Sequence, residues 1–293
     1  MTALISKIQH DTFEKGEFID EKFRDLSETL EIIKAFPWDL ERTLTDVKLT
    51  GPSVTIQNQQ GDFLKAAIFF NNKFCIYYLH NNAVYEYPVS DLQSVYTEVE
   101  NFFNNVLDLE KYHRNLFQID ARGHFETDSF EYWVKIWRVL KLNIFTLTFS
   151  GLFLIANIAI IRDLVQFPPV ILLSLLSCFI YILTGRIFYA AYINRNNYLK
   201  ISKGNNTFLF GYHSSDIRSY NKTEVTKIVT YEAKGNRNPV LVEIYEIYFK
   251  DGTVIKISNM LISWFDLFDK FSDKMENLDV PIISGKRSLY KML

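Results

Sequence analysis

The sequence predicts an α+β membrane protein. Its predicted parts are an amino-terminal α-β-β-β-β-α domain, a transmembrane hairpin of two helices, and a carboxy-terminal antiparallel β-barrel or sheet with a closing helix. Residues 142–161 form a run of twenty residues without a charge. Runs of strand composition lie on both sides, each set next to apolar residues at helical spacing. The length of 293 residues is about twice the usual domain length, so more than one core is expected.

Charge is divided unevenly along the chain. Residues 1–132 carry 22 acidic and 12 basic residues, whereas 133–193 and 194–293 each carry a net charge of +4. Affinity for a nucleic-acid backbone comes mostly from Lys and Arg, so the acidic part argues against a nucleic-acid partner and favours a basic protein. The two cysteines, Cys75 and Cys178, fall in different segments and predict no disulfide.

The first domain is predicted to span residues 1–127 and to begin with a helix. This helix covers about 17–36 and ends at Phe36-Pro37. Its apolar positions have helical spacing: Phe18, Phe23, Leu26, Leu30 and Ile33. Its other side is acidic, and complementary charge favours encounter with a basic partner. We expect partner binding through five residues of that side: Asp20, Glu21, Asp25, Glu28 and Glu31.

Four strands and a second helix complete this domain. The strands are predicted over 54–58, 63–70, 73–80 and 83–87. Asn71-Asn72 and Asn81-Asn82 predict two-residue hairpin turns, because asparagine accepts positive φ angles. The first turn would pair Leu64, Ala66 and Ile68 with Leu79, Tyr77 and Cys75. Ser90 and Gln93 are a candidate capping box for a helix whose apolar residues, from Leu92 to Val106, cover the sheet.

Two membrane spans are predicted within 128–195, over about 140–161 and 168–193. Each is long enough, at 1.5 Å per residue, to cross about 30 Å of hydrocarbon. Lys and Arg at the outer ends predict a multi-pass protein of the inner membrane with both termini cytoplasmic. A buried helical hairpin is the alternative. Eight residues are expected at the membrane interface: Trp133, Lys135, Trp137, Arg138, Lys141, Arg186, Tyr189 and Tyr192.

The carboxy-terminal domain is predicted over 196–280, with a tail over 281–293. Short strands are predicted at five runs: 198–202, 207–212, 225–232, 240–249 and 253–258. A three-residue loop, 250–252, would align Tyr245, Ile247 and Phe249 with Ile257, Ile255 and Thr253. Apolar residues from Leu261 to Leu278 have helical spacing and predict the closing helix.

This layout resembles the bacterial pleckstrin-homology-like (PH-like) domain of membrane proteins, in which a two-helix transmembrane hairpin precedes a bent antiparallel sheet and one helix. The resemblance rests on Tyr198-Leu199-Lys200-Ile201, the hairpin from Tyr245 to Gly252 and the helix from Phe265 to Phe271. It implies a fold more than a function. Eukaryotic relatives that bind inositol phosphates concentrate basic residues in the first hairpin. Here that loop is Lys203-Gly204-Asn205-Asn206, which argues against phosphoinositide binding.

Motifs for catalysis are missing from the sequence. It contains no glycine-rich phosphate loop, CxxC pair, HExxH run or GxSxG elbow. His113 and His124 with Asp120 or Glu126 were the strongest candidates for metal ligands, but their spacing fits no zinc motif. We therefore expect no catalytic residue, no metal and no cofactor, and a protein that is not an enzyme.

The predicted function is that of a non-enzymatic, membrane-anchored cytoplasmic binding protein. Its partners would be the lipid bilayer and a protein. The sharpest version is an immunity protein against a membrane-acting bacterial toxin, with a basic toxin bound by the acidic amino-terminal domain. The alternative is a PH-like scaffold or signalling protein at the membrane, in which the carboxy-terminal domain is the active module.

Overall fold

The computed structural model describes residues 3–44, 47–115, 120–142, 144–163, 175, 177–178, 181–182, 184–185, 188–233, 243–278 and 282–287. The chain divides into two compact units. The first comprises Met1–Ser129 and Ser202–Asn205, and the second comprises Phe130–Ile201 and Asn206–Leu293.

The first unit is built on one antiparallel sheet, called here the amino-terminal sheet. Within the described residues it has seven strands in the order β2-β1-β3-β4-β5-β6-β7. Their bounds are β1 Leu4–Gln9, β2 Ile19–Arg24, β3 Ser53–Gln57, β4 Phe63–Ile68, β5 Phe74–His80, β6 Ala83–Val89 and β7 His113–Asn115. Three helices accompany it: α1 Leu26–Ala35, α2 Trp38–Leu44 and α3 Leu92–Phe103.

One face of the amino-terminal sheet is covered by α1 and α3. Ile33 of α1 and Val99 of α3 lie in the same apolar cluster as Ile56, Leu64 and Ile76 of the strands. Side chains of a strand alternate between faces, so these three positions share a face of the sheet. The prediction that a helix beginning near Leu92 covers an apolar sheet face is confirmed.

The helix caps differ in detail from the predicted ones. Asp25 caps α1 by accepting from the Glu28 N–H at 2.9 Å, and Glu28 returns a bond to the Asp25 N–H. At α3 the cap is Asp91, whose carboxylate accepts from the Ser94 N–H at 2.8 Å. The predicted box of Ser90 and Gln93 is thus wrong by one position, because an adjacent aspartate supplies the stronger acceptor.

The two asparagine turns have different lengths. Asn81-Asn82 forms the predicted two-residue turn, with His80 opposite Ala83 and positive φ angles at both asparagines. In the other turn, the Phe69 N–H donates to the Lys73 carbonyl, so the loop contains three residues.

The predicted β4–β5 register is therefore wrong by one residue. Leu64 lies opposite Tyr78, and Ala66 lies opposite Ile76. A shift of one residue reverses which side chains share a face. Tyr77 and Cys75 consequently lie on the face away from α1 and α3.

The predicted helix over 17–36 is also wrong in its first half. Residues 19–24 form β2, which pairs with β1, a strand that the sequence patterns did not reveal. Phe18 and Phe23 fitted helical spacing, but Phe23 is 70% exposed on the strand. Asp25 follows the strand and is the N-cap of α1. Its backbone is extended, as is typical of an N-cap residue, so the helix begins only after it.

The second unit contains two sheets, each four-stranded within the described residues, in the orders β11-β10-β9-β8 and β14-β13-β12-β15. The strands are β8 Glu131–Trp133, β9 Tyr198–Lys200, β10 Thr207–Gly211, β11 Arg218–Asn221, β12 Val225–Ala233, β13 Ile244–Phe249, β14 Val254–Ser258 and β15 Ile282–Arg287. The helices are α4 Ile136–Leu142, α5 Ile144–Asp163 and α6 Trp264–Leu278. Residues 240–242, predicted as strand, lie outside the described residues.

The core of this unit lies between its strands and α6. Phe208, Ile228 and Ile247 pack in one apolar cluster with Leu267 and Phe271 of α6, which confirms the predicted covering role of that helix. The predicted register of the last hairpin is also confirmed. Tyr245 lies opposite Ile257, Ile247 lies opposite Ile255, and the Phe249 N–H donates to the Thr253 carbonyl. Gly252 has a φ of 84°, which favours glycine in this three-residue loop.

The transmembrane hairpin is a wrong prediction. No helix within the described part of the chain is long and apolar enough to cross a membrane. The predicted run carries no charge, but it does contain hydroxyl groups. In the structure, Thr148 Oγ1 donates to the Ile144 carbonyl, and Ser150 Oγ lies 2.9 Å from Thr184 Oγ1.

The predictions that depended on the hairpin are wrong with it. They are the membrane class of the fold, the membrane anchor, and the multi-pass inner-membrane localisation with cytoplasmic termini. Much of the proposed second span, 168–193, lies outside the described residues. The α5 helix exposes large apolar side chains such as Phe145 and Ile155.

Candidate functional site

A cavity in the second unit is the first candidate site. Its volume is about 230 Å³. Its lining combines two aliphatic side chains with polar ones: Ile193, Asn194, Asn197, Tyr212, His213, Ile244 and Lys256. Tyr212 and His213 directly follow β10, while Ile244 and Lys256 lie on neighbouring strands. Four separate segments of the chain therefore meet at this cavity.

Three of the lining residues, Tyr212, His213 and Lys256, have side chains that can donate hydrogen bonds. The Tyr212 hydroxyl oxygen accepts the Lys256 backbone N–H at 3.1 Å, so its own proton remains to be donated. Burial raises the pKa of Tyr212, which keeps that proton in place. The Asn196 amide donates to His213 Nδ1 at 3.2 Å, and this places the ring proton of a neutral imidazole on Nε2.

Lys256 supplies the positive charge of the cavity. Its ammonium lies 3.6 Å from Oε1 of the buried Glu246, while 41% of the lysine side chain stays exposed. The Glu246 carboxylate is shared, because its Oε2 accepts from the Tyr248 hydroxyl at 2.6 Å. The charge of Lys256 is therefore balanced at one side and reachable from solvent at the other.

The asparagines fix the wall of the cavity. The Asn194 amide donates to the Ala190 carbonyl at 2.8 Å, and the Asn197 amide donates to Asn194 Oδ1 at 2.8 Å. Both residues are buried. These two hydrogen bonds hold the backbone between the helical residues 188–193 and β9. Ile193 and Ile244 add aliphatic side chains to the lining.

A second candidate lies in the first unit, where carboxylates meet consecutive backbone N–H groups. The buried Glu17 carboxylate accepts from the Gly204 N–H at 2.9 Å and from the Asn205 N–H at 3.0 Å. Glu14 Oε1 accepts from the Lys203 N–H at 2.9 Å. Successive N–H groups that point at one anion form a nest, a backbone arrangement that often binds phosphate.

Position 204 of this nest has no room for a side chain, so it requires glycine. A Cβ atom at Gly204 would lie 2.1 Å from a ring carbon of Phe13. The segment from Phe13 to Glu17 therefore encloses the Lys203–Asn205 loop with both a ring and carboxylates. In the structure the anions at this loop are the protein's own side chains.

The predicted acidic binding face is divided between two elements. Asp20 and Glu21 lie on β2, whereas Glu28 and Glu31 lie on α1 and Asp25 is its cap. Asp20 contacts the Arg24 guanidinium at 2.5 Å, and Glu21 accepts from the Thr127 hydroxyl at 2.5 Å. The single helical face was therefore a wrong premise, and its partner-binding role stays a prediction.

The predicted membrane-interface residues are distributed over several elements of the second unit. Trp133 ends β8, and the Lys135 ammonium lies 4.5 Å from the centre of its ring. Trp137, Arg138 and Lys141 belong to α4. Tyr189 and Tyr192 lie in the helical residues 188–193, and Arg186 is outside the described residues. The assignment of these residues to a membrane interface stays a prediction.

The histidines considered as metal ligands have other neighbours. His124 Nδ1 lies 2.5 Å from the Thr50 hydroxyl, and Asp120 accepts from the Lys15 ammonium at 2.6 Å. His113 is an exposed residue of β7. Among the residues that the structure describes, no group of three or more His, Cys, Asp or Glu side chains is arranged to hold a metal ion.

Sequence patterns did not identify Tyr212, His213 or Lys256 as a group. Tyr212 and His213 follow β10, Lys256 lies on β14 of the other sheet, and no spacing rule joins residues so far apart. The Lys203–Asn206 loop was judged as a phosphoinositide site by its basic side chains alone. Its backbone N–H groups carry the interaction, and glycine at position 204 was the one signal for them.

Comparison with known proteins gives one match. No curated protein and no solved structure matches the chain. Residues 131–270 match the family model described as a PH domain, which covers β8 through the first half of α6. The chain therefore contains a PH-like domain over these residues.

Proposed function

We propose that the PH-like domain is a non-enzymatic binding module that recognises a carboxylate group of a protein partner. The family match supports a binding or scaffold role. The observation that carries the proposal is the convergence of Tyr212, His213 and Lys256 on one cavity. Two neutral donors and one ammonium suit a carboxylate, because hydrogen bonds that involve an ion are stronger than neutral ones.

The aliphatic wall favours a carboxylate attached to an apolar residue. Ile193 and Ile244 lie beside the polar donors in the cavity. A carboxy-terminal leucine or a similar residue presents both groups together, and the apolar contact adds to its affinity. Glu246 already balances part of the Lys256 charge, so we expect a weak, reversible interaction with a single amino acid derivative.

A protein partner is favoured over a phosphoinositide. Lys203 is the lone basic side chain of the loop at 203–206. The N–H groups of Lys203, Gly204 and Asn205 are engaged by Glu14 and Glu17. A phosphate there would have to displace two carboxylates that are already hydrogen-bonded.

The immunity interpretation gains no support from these observations. The comparisons return no immunity protein, and the predicted anchor depended on the membrane spans. The scaffold alternative keeps its binding role without the membrane.

N-acetylleucine and N-acetylleucinamide test the proposal as a matched pair, because they differ only at the carboxylate. Nuclear magnetic resonance (NMR) titration of the full chain should show saturable binding of the acid, with the amide at least about tenfold weaker. Lys256→Gln should weaken binding of the acid by a similar factor. Lys250→Gln, an exposed lysine of the neighbouring hairpin loop, is the matched control.

Two results would contradict the proposal. Equal binding of the acid and the amide would show that the carboxylate is not recognised. Tighter, saturable binding of inositol trisphosphate, together with no response to N-acetylleucine, would favour a phosphoinositide ligand instead.

A further inference from the structure

The face of the amino-terminal sheet away from α1 and α3 carries a polar row across its central strands. Lys7 of β1 lies opposite Thr55 of β3, and Thr55 lies opposite Lys65 of β4. Residues that face one another across neighbouring strands place their side chains on the same face. All three are buried, with exposed fractions of 2% or less. This row is independent of the PH-like domain.

Lys65 is the most enclosed member of the row. Its ammonium donates to Gln9 Oε1 at 2.7 Å and to the His124 carbonyl at 3.1 Å. Both acceptors are neutral. The rings of Phe18 and Phe125 lie over it, with centroids 5.6 and 5.7 Å from Nζ. A buried charge is normally paired with an opposite charge, and these contacts supply none.

Lys7 reaches the same aromatic cover. Its ammonium lies 4.4 Å from the centre of the Phe18 ring and donates to the Thr127 hydroxyl at 2.9 Å. Thr127 in turn donates to Glu21 at 2.5 Å, and the carboxylates of Glu21 and Glu126 are close enough to act on the Lys7 charge. One strand, β3, lies between Lys7 and Lys65, so two inter-strand spacings, about 10 Å, separate them at the backbone. Each of the two ammonium groups lies within cation–π distance of the Phe18 ring.

Thr55 lies between the two lysines. Its hydroxyl oxygen is buried and has no hydrogen-bond partner within the described residues. Leaving a buried hydroxyl unpaired is unfavourable, so such groups are rare. A donor without a partner between two ammonium groups has the chemistry of an anion-binding site.

We propose that Lys7, Thr55 and Lys65 form an internal binding site for a small oxyanion of the phosphate class. The two ammonium groups supply the charge, and the threonine hydroxyl supplies a neutral donor between them. The oxygens of a tetrahedral oxyanion point in several directions, so donors from three strands can be accepted by one ion. The aromatic rings of Phe18 and Phe125 exclude water and strengthen these interactions.

Equilibrium dialysis of the full chain against radiolabelled inorganic phosphate tests the site. The wild type should bind one equivalent saturably, in a buffer with excess chloride. Lys65→Met should abolish binding, and Thr55→Val should weaken it on the order of tenfold. Lys73→Met, which changes an exposed lysine of the same unit, should bind as the wild type does.

Thr55→Val decides the matter if Lys65→Met does not fold, because valine keeps the shape of threonine. The proposal is overturned if the wild type shows no saturable binding, or if Thr55→Val and the wild type bind alike. Glycerol 3-phosphate as competitor separates two sources of the same chemistry. Its displacement of the label extends the site to phosphate monoesters, and failure to displace restricts it to the free ion.

Discussion

Two buried charges of the first unit, those of Glu17 and Lys65, are satisfied in opposite ways. Glu17 accepts from two N–H groups of the Gly204–Asn205 segment and from the Glu14 N–H. Lys65 has two neutral acceptors and lies beneath aromatic rings. Burial, with a smaller contribution from the nearby Lys7, lowers the pKa of Lys65 to about 7.

The comparison of Glu17 with Lys65 indicates under which conditions a buried charge stabilises a fold. Several backbone N–H groups replace the water around a carboxylate, so Glu17 ties two distant segments of one unit together. An ammonium with neutral partners recovers less of its lost hydration, so Lys65 is held at a cost in stability. Lys256 in the second unit differs from both, since it has a carboxylate nearby and remains partly exposed.

The largest effect is expected at Glu17. Glu17→Gln replaces an acceptor oxygen by an amide that points donors at donors, and it should lower the free energy of unfolding by about 2–4 kcal/mol. Glu31→Gln, on the exposed side of α1, should change it by less than about 0.5 kcal/mol. Urea unfolding followed by circular dichroism measures both. Similar values for the two variants would remove Glu17 from its locking role.

The pH dependence of the free energy of unfolding reports on Lys65. An unfolded lysine keeps its proton until about pH 10.4, whereas folded Lys65 loses it near 7. Between these values the unfolded state binds more protons, so stability should rise with pH, by at most about 1.4 kcal/mol per unit from this residue. The titratable groups that surround Lys65 are Lys7, Tyr77 and His124.

Lys65→Met should flatten that rise between pH 7.5 and 9, measured by urea unfolding in chloride buffer. Saturating phosphate should flatten it in the wild type as well, because a bound anion favours the charged ammonium. Lys73→Met serves as the control and should keep the slope. An identical slope in Lys65→Met and the wild type would show that Lys65 does not titrate in this range.

The smallest effect is expected at Thr55. Thr55→Val should leave the free energy of unfolding within about 1 kcal/mol of the wild type, or raise it, because the valine removes an unpaired buried hydroxyl. Thr29→Val is the matched control, since that buried hydroxyl donates to the Asp25 carbonyl at 2.8 Å. Thr29→Val should lower stability by about 1 kcal/mol. A larger loss at Thr55 than at Thr29 in thermal unfolding would reverse the comparison.

The sequence predicted elements whose signals are local. The Tyr245–Ile257 register followed from alternation and from Gly252 at the turn. The β4–β5 register failed because two adjacent asparagines fit both a two-residue and a three-residue loop. β1 and β2 were missed because β2 is almost wholly exposed and β1 buries polar residues such as Ser6 and Lys7.

The candidate sites depended on contacts that no local pattern carries. Lys65 was part of a predicted strand, but its burial follows from the segment around Phe125 that covers that face. The cavity depended on Tyr212 and Lys256 meeting across two sheets. The membrane hairpin was predicted from the length of the uncharged runs and from the Lys, Arg and aromatic residues at their ends, and no helix of the described residues is long and apolar enough to match it.

The most direct test of the proposed function is to locate N-acetylleucine by intermolecular nuclear Overhauser effects to methyl-labelled isoleucines of the full chain. Lys256, Tyr212 and His213 would hold the carboxylate, which places the leucine side chain against the aliphatic wall. We expect nuclear Overhauser effects between the leucine methyl groups and Ile193 and Ile244. Effects to isoleucines elsewhere in the chain, with none to these two, would contradict it.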